Sequence, residues 1–174
     1  MANFCEMDLH VVSRNEEAVI AVKDAFTFNE DEGICAGRIY DSYIYEEGFN
    51  KETGEYYAYI VADIAWSVKS AILDKGILQK LIKKHNLDLE IYSEEPSAGF
   101  MEHFRWERGE QIVSEVGDYA KIHIDDMEDE DLRDEFFNMT IVKKYPITID
   151  NYESFADEEG YIKLGGFKYD WVIN

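Results

Sequence analysis

Between Phe4 and Val12 the side chains alternate, with Cys5, Met7, Leu9 and Val11 on one side and Glu6, Asp8 and His10 on the other. A period of two belongs to a strand with one buried face. The pattern recurs: Tyr56, Ala58, Ile60, Ala62, Ile64 and Trp66 fall together, opposed by Tyr57, Tyr59, Val61 and Asp63, and Leu87, Leu89 and Ile91 repeat it once more. Strands of this kind need a covering layer on their apolar side. Helical spacing between them supplies one. Ser13 with Glu16 makes a capping box ahead of Ala18, Val19, Val22, Ala25 and Phe26, up to a turn at Asn29 to Gly33. Ser67 is placed to cap a second helix running to about Asn86, with Val68, Ile72, Leu78, Leu81 and Ile82 inward and a kink or split at Gly76.

Two tyrosine-rich runs, about Ile34 to Tyr45 and Tyr56 to Trp66, flank a turn containing Gly48, Asn50, Lys51 and Gly54 and predict a hairpin. The order strand, helix, strand, strand, helix, strand over residues 1–92 therefore predicts an α+β, ferredoxin-like antiparallel sheet with two helices on one face. Residues 93–174 predict a β-rich extension. Its parts are a strand from Phe100 to Glu107 turning at Arg108-Gly109-Glu110, strands from Gln111 and around Tyr119 to Ile124, and a short acidic helix from Met127 to Phe137. Strands near Ile141 to Ile149 and a closing Tyr161 to Val172 hairpin complete it. No linker or repeat interrupts the 174 residues, so a single domain is expected.

Charge then limits the partners. Seventeen Lys and Arg against 38 Asp and Glu give a formal net charge of −21. Such a field repels nucleic-acid phosphates and anionic lipid and attracts basic protein surfaces. The first residues lack a basic leader with an apolar run, and no stretch approaches the ~18 apolar residues of a membrane span. The two cysteines, Cys5 and Cys35, have no CxxC or finger-like spacing, which suits thiols in a reducing compartment. A cytoplasmic protein is expected.

At Asp63-Ile64-Ala65-Trp66-Ser67, at Leu87 through Pro96, and from Gly99-Phe100 to the Gly109-Glu110 turn, the chain resembles the YubB-type ferredoxin-like proteins of phages and plasmids. The opening Met1-Ala2-Asn3-Phe4-Cys5 is similar too, with Phe4 where a tryptophan is more usual. The resemblance covers about the first two thirds of the chain. It implies a ferredoxin-like core and a mobile-element origin, and it brings no activity or catalytic residues with it.

Asp125-Asp126-Met127-Glu128-Asp129-Glu130-Asp131-Leu132-Arg133-Asp134-Glu135 holds eight acids in eleven residues. It lacks the central glycine and ligand order of a calcium loop. As a carboxylate row it can imitate phosphates, since duplex DNA carries one charge per ≈1.7 Å of axis and ~21 charges match roughly 35 Å of duplex. A solvated helix face accounts for the same residues without any partner. Tyr40, Tyr43, Tyr45, Tyr56, Tyr57 and Tyr59 lie on the predicted hairpin. A stacking platform for RNA needs a basic groove beside it, so tyrosines among acids suit a protein-binding face or plain cross-strand packing instead.

The leading expectation is thus a binding protein that occupies a basic, nucleic-acid-binding face of a host protein, with a defence nuclease (a CRISPR effector or a restriction enzyme) as the target. The residues assigned are Asp125, Asp126, Glu128, Asp129, Glu130 and Asp131, then Glu94, Glu95 and Tyr57, in a monomer or dimer. No catalytic residue, metal or cofactor is assigned. No HExxH, Walker or GxSxG motif occurs. The alternative is a small-molecule or metal-dependent enzyme whose site assembles in three dimensions from His103, His123, Glu94 and Glu95. Self-assembly through the sheet is a third option.

Overall fold

The computed structural model describes residues 4–27 and 35–173, so the predicted Asn29 to Gly33 turn, Ile34 and the first three residues lie outside the described residues. The strands are β1 (Phe4–Ser13), β2 (Ile39–Asn50), β3 (Glu55–Ala65), β4 (Asp88–Glu95), β5 (Phe100–Glu107), β6 (Glu110–His123) and β7 (Tyr161–Gly165). The α-helices are α1 (Glu16–Phe26), α2 (Val68–Ala71), α3 (Ile77–His85), α4 (Glu130–Asn138) and α5 (Thr140–Lys144). The strands hydrogen-bond in the order β2-β3-β1-β4-β5-β6-β7 as an antiparallel sheet.

This corrects the expected ferredoxin-like layout of a sheet with two helices on one face: the described residues form seven strands in one order and five α-helices. The helix predicted to reach Asn86 splits at Gly76 as expected, where a left-handed φ of +73° separates α2 and a 3-10 turn (Leu73–Lys75) from α3. The Ile141 to Ile149 segment, β-branched and therefore predicted as strand, opens as α5, because Ile141 and Val142 are buried in a local core that overrides their intrinsic preference.

Two compact units result, one comprising Met1–Ser93, Glu102–Glu115 and Tyr169–Asn174, the other Glu94–Met101 and Val116–Lys168. In the first, the alternation of β1 has the expected effect. Cys5, Met7, Leu9 and Val11 are buried with Ala58, Ile60, Ala62 and Ile64 of β3, which pairs with β1 residue for residue from Phe4↔Ala65 to Ser13↔Tyr56. Helix α1 packs on β1, β3 and α3 and buries Ala18, Val19, Val22, Ala25 and Phe26. Each large apolar side chain removed from water contributes about 1.5–3 kcal/mol. The N-cap of α1 is Asn15, accepting from the Glu17 N–H, while Ser13 accepts from Asn15, so the predicted capping box is displaced by two residues. Trp66, expected in the core, is exposed with φ +73°, because β3 ends there and the chain turns so that Ser67 can cap α2.

The second unit has its own core, in which Ala120, Ile122, Phe136, Ile141, Val142, Ile162 and Leu164 are buried together. Strand β7 pairs with the end of β6 from Tyr119↔Gly165 to His123↔Tyr161. Two strands were expected where β6 runs unbroken. Gly117 lies inside it, with the Phe167 ring 3.1 Å from where a Cβ would stand.

Gly37 shows how closely the first unit is packed. The Ala71 carbonyl approaches to accept the Arg38 N–H at 3.1 Å, and a Cβ on Gly37 would collide with that oxygen. Gly37→Ala is expected to cost about 1–3 kcal/mol by overpacking, seen as a lower urea midpoint with an unchanged slope.

Candidate functional site

The acidic run belongs to the second unit. Asp125, Asp126 and Glu128 lie on a 3-10 helix (Ile124–Glu128), and Glu130 and Asp131 form the first turn of α4. Asp129 is the N-cap between them, accepting from the N–H groups of Asp131 (2.9 Å) and Leu132 (3.2 Å). Buried Met127 and Phe136 fasten this stretch from below, and acids at the start of α4 favour its helix dipole. All eight acids from Asp125 to Glu135 are exposed. Within the run they meet one basic residue, Arg133, 3.6 Å from Glu130, while His123 stands 3.5 Å from Asp125.

The remaining predicted residues lie elsewhere. Glu94 is half-buried and pairs with Lys121 at 3.0 Å. Glu95 is 1% exposed and accepts the Ala98 N–H at 3.1 Å, and burial raises its carboxyl above the usual range. It shapes a turn and is enclosed by the fold. Tyr57 belongs to the first unit, where its hydroxyl donates to Glu46 at 2.9 Å, a bond that raises the phenol's pKa. The residues named for an enzyme engage separate partners: His103 bonds Glu90, His123 bonds the Glu159 carbonyl, and Glu94 and Glu95 are bound as above. Among the described residues no group of three or more His, Cys, Asp or Glu could hold a metal ion. No helix among them is long and apolar enough to cross a membrane.

A second feature, absent from the sequence reading, occupies the side of the first unit's sheet opposite the helices. Glu90, its side chain fully buried, shares a 2.8 Å hydrogen bond with His103 Nε2 and accepts the N–H groups of Val172 (2.9 Å) and Ile173 (3.3 Å). Tyr92 exchanges hydrogen bonds with the backbone of Asp170 and stacks on His103 and Tyr169. Residues 169–173 are thereby tied across β4, and Trp171 presents its edge or face to Tyr92, Tyr59 and His10. His10, 1% exposed, stacks on Tyr59 with ring centroids 3.8 Å apart.

Beside this cluster an open groove of about 510 Å³ is lined by Asp8, Tyr43, Tyr45, Glu46, Tyr59 and Trp171, among others. A bulge in β2 between Ile44 and Glu46 brings Tyr45 and Glu46 to the same groove despite their adjacency in sequence. Only the tyrosines were visible as candidates in the sequence. Nothing local to Trp171 or Glu90 announces that they belong to one cluster.

With the geometry in view, comparison with known proteins adds no relative: no family model, no curated protein and no solved structure matches the chain.

Glu90→Ala leaves two backbone N–H groups without their acceptor and His103 without its partner, so amide exchange at Val172 and Ile173 should accelerate at least about tenfold, with the rest of the first unit protected. His10 supplies a pH dependence. Burial lowers its pKa from 6.5 to about 4, with the Ile173 backbone and the Glu90 and Glu46 carboxylates offsetting part of the drop. The unfolded chain thus takes up the extra proton first, so stability is fully present above pH 6.5 and is lost as pH falls towards 4, by on the order of 3 kcal/mol. Unfolding curves at pH 7 and 4.5 should show a smaller difference in His10→Phe, which keeps the ring and removes the proton.

Proposed function

We propose that this chain is a binding protein of mobile-element origin that acts in the cytoplasm by occupying a basic, nucleic-acid-binding surface of a host protein, with a defence nuclease such as a CRISPR effector or restriction enzyme as the target. The observation that carries the reading is the exposed Asp125 to Glu135 run, eight carboxylates with Arg133 as their one basic neighbour in the sequence stretch. The unit that bears it is disproportionately acidic. Its 16 Asp and Glu against 6 Lys and Arg give −10 in little more than a third of the chain.

The physical basis is competition. Carboxylates pair with the Arg and Lys that otherwise hold phosphates, and guanidinium accepts a carboxylate in the same bidentate way as a phosphate. Desolvated pairs of this kind contribute affinity, while the wider field raises the encounter rate. The working residues are Asp125, Asp126, Glu128, Glu130 and Asp131, with Asp129 shared between the surface and its capping role. Glu94 and Tyr57 hold internal bonds already, and Glu95 is buried.

The test is inhibition of nucleic-acid binding by purified candidate nucleases, measured across a salt series. Changing the six acids from Asp125 to Asp131 to their amides should weaken binding at least ~100-fold at low salt, and the unsubstituted protein should lose about tenfold or more between 50 and 300 mM salt. Asp129→Asn retains a good N-cap, so the fold of α4 is spared. Tight inhibition indifferent to salt and to all six changes would falsify the reading.

A further inference from the structure

The groove in the first unit combines features that suit one class of ligand. Its lining contains five aromatic rings, with Tyr169 in addition to those named, and two carboxylates, Asp8 and Glu46, and no Lys or Arg is among the lining residues. Tyr45 is 72% exposed and Tyr43 56%, unusual for large rings on a strand that could turn them inward. The volume, about 510 Å³, falls within the range of small-ligand sites. A ring face attracts a cation through its quadrupole, most strongly for Trp and Tyr, and a nearby carboxylate adds the opposite charge.

We infer that this groove binds the side chain of an arginine on a partner protein, with the guanidinium against the tyrosine and Trp171 rings and Glu46 as its carboxylate. A planar, weakly hydrated cation stacks on aromatic rings and offers its N–H fork to a carboxylate, and both surfaces are present here. Glu46 already accepts from Tyr57 through Oε1, but a carboxylate has roughly four lone-pair sites, which leaves room for a second donor. The β2 bulge is the device that makes the site: without it, neighbours in sequence such as Tyr45 and Glu46 would point to opposite faces of a strand. The C-terminal residues complete it, because Trp171 and Tyr169 reach the groove only while Glu90 and Tyr92 hold the backbone of residues 170–173. The inference does not depend on the acidic run of the other unit.

The experiment titrates the whole protein with Nα-acetyl-arginine amide and follows backbone amide shifts and the Trp171 indole by NMR. Saturable shifts at Tyr43, Tyr45, Tyr59 and Trp171 are expected, with a millimolar dissociation constant that is at least about tenfold weaker for the neutral citrulline analogue and several-fold weaker for the lysine analogue. Tyr45→Ala removes a ring that is mostly solvent-exposed, so it should weaken binding about threefold or more without unfolding the chain, and Glu46→Gln should do likewise. The protein neutralised from Asp125 to Asp131 should bind arginine unchanged, which separates this site from the run. Absence of shifts at the groove overturns the inference, as does equal affinity for citrulline or shifts confined to the acidic run. Equal affinity for lysine overturns the assignment to a guanidinium.

Discussion

A carboxylate with no exposed surface ties the chain's last described residues to the open side of the first unit's sheet. Removing an ionised Glu from water is costly unless its lone pairs are filled, and Glu90 fills them with His103 and two consecutive backbone N–H groups. Those bonds specify where residues 172 and 173 lie to within a hydrogen-bond length. Trp171, one residue earlier, is then held at the rings of His10, Tyr59 and Tyr92. The groove wall is therefore a consequence of a buried, fully bonded carboxyl group three strands' worth of sequence away.

The acidity of the chain divides into two physical kinds. Glu90, Glu95 and Glu102 are buried and serve the fold. Glu102 accepts the Val68 N–H at 2.7 Å and the Ser93 hydroxyl at 2.9 Å, so the short helix α2 has its first donors satisfied by Ser67 and by a carboxylate from β5. Burial raises the carboxyls of Glu95 and Glu102 above their usual range, offset in part by the hydrogen bonds each accepts. The carboxylates from Asp125 to Glu135 are the other kind, exposed and with few internal cations. A net charge of −21 counts buried and exposed carboxylates alike, and only exposed ones can meet a partner.

How much of this was legible in the sequence follows from the range of each interaction. Strands β1, β3 and β4 were readable because alternation is a local record of one buried face, and the acidic helix was readable because its acids are contiguous, though its Asp129 cap was not. The ferredoxin-like layout failed where tertiary context overrode local preference, as at Ile141-Val142, which a core claims for α5, and β6 runs unbroken where two strands were expected, whereas the split at Gly76 was legible in the sequence. Among site residues, the exposed acids were visible as a run, whereas burial of Glu95 was not. The groove stayed hidden because its parts come from β1, β2, β3 and the C-terminal residues, and because the bulge at Ile44/Glu46 breaks the very alternation on which a reading of faces relies.

These two surfaces obey different distance laws. Exposed carboxylates act through a field that physiological salt screens over about 8 Å, so the Asp125 to Glu135 run can speed approach to a basic surface without selecting any one residue on it. Ring faces act only in contact, within about 6 Å of the ring centroid, and contact excludes some of the water and salt that would weaken them. As the arginine site inferred for it, the groove of tyrosines, Trp171 and Glu46 would discriminate by shape and by the kind of cation, where the run proposed to meet a basic surface would discriminate by sign alone. For a protein this acidic, attraction to basic surfaces is general, and a contact-range site of the kind inferred for the groove is what would let it choose among them.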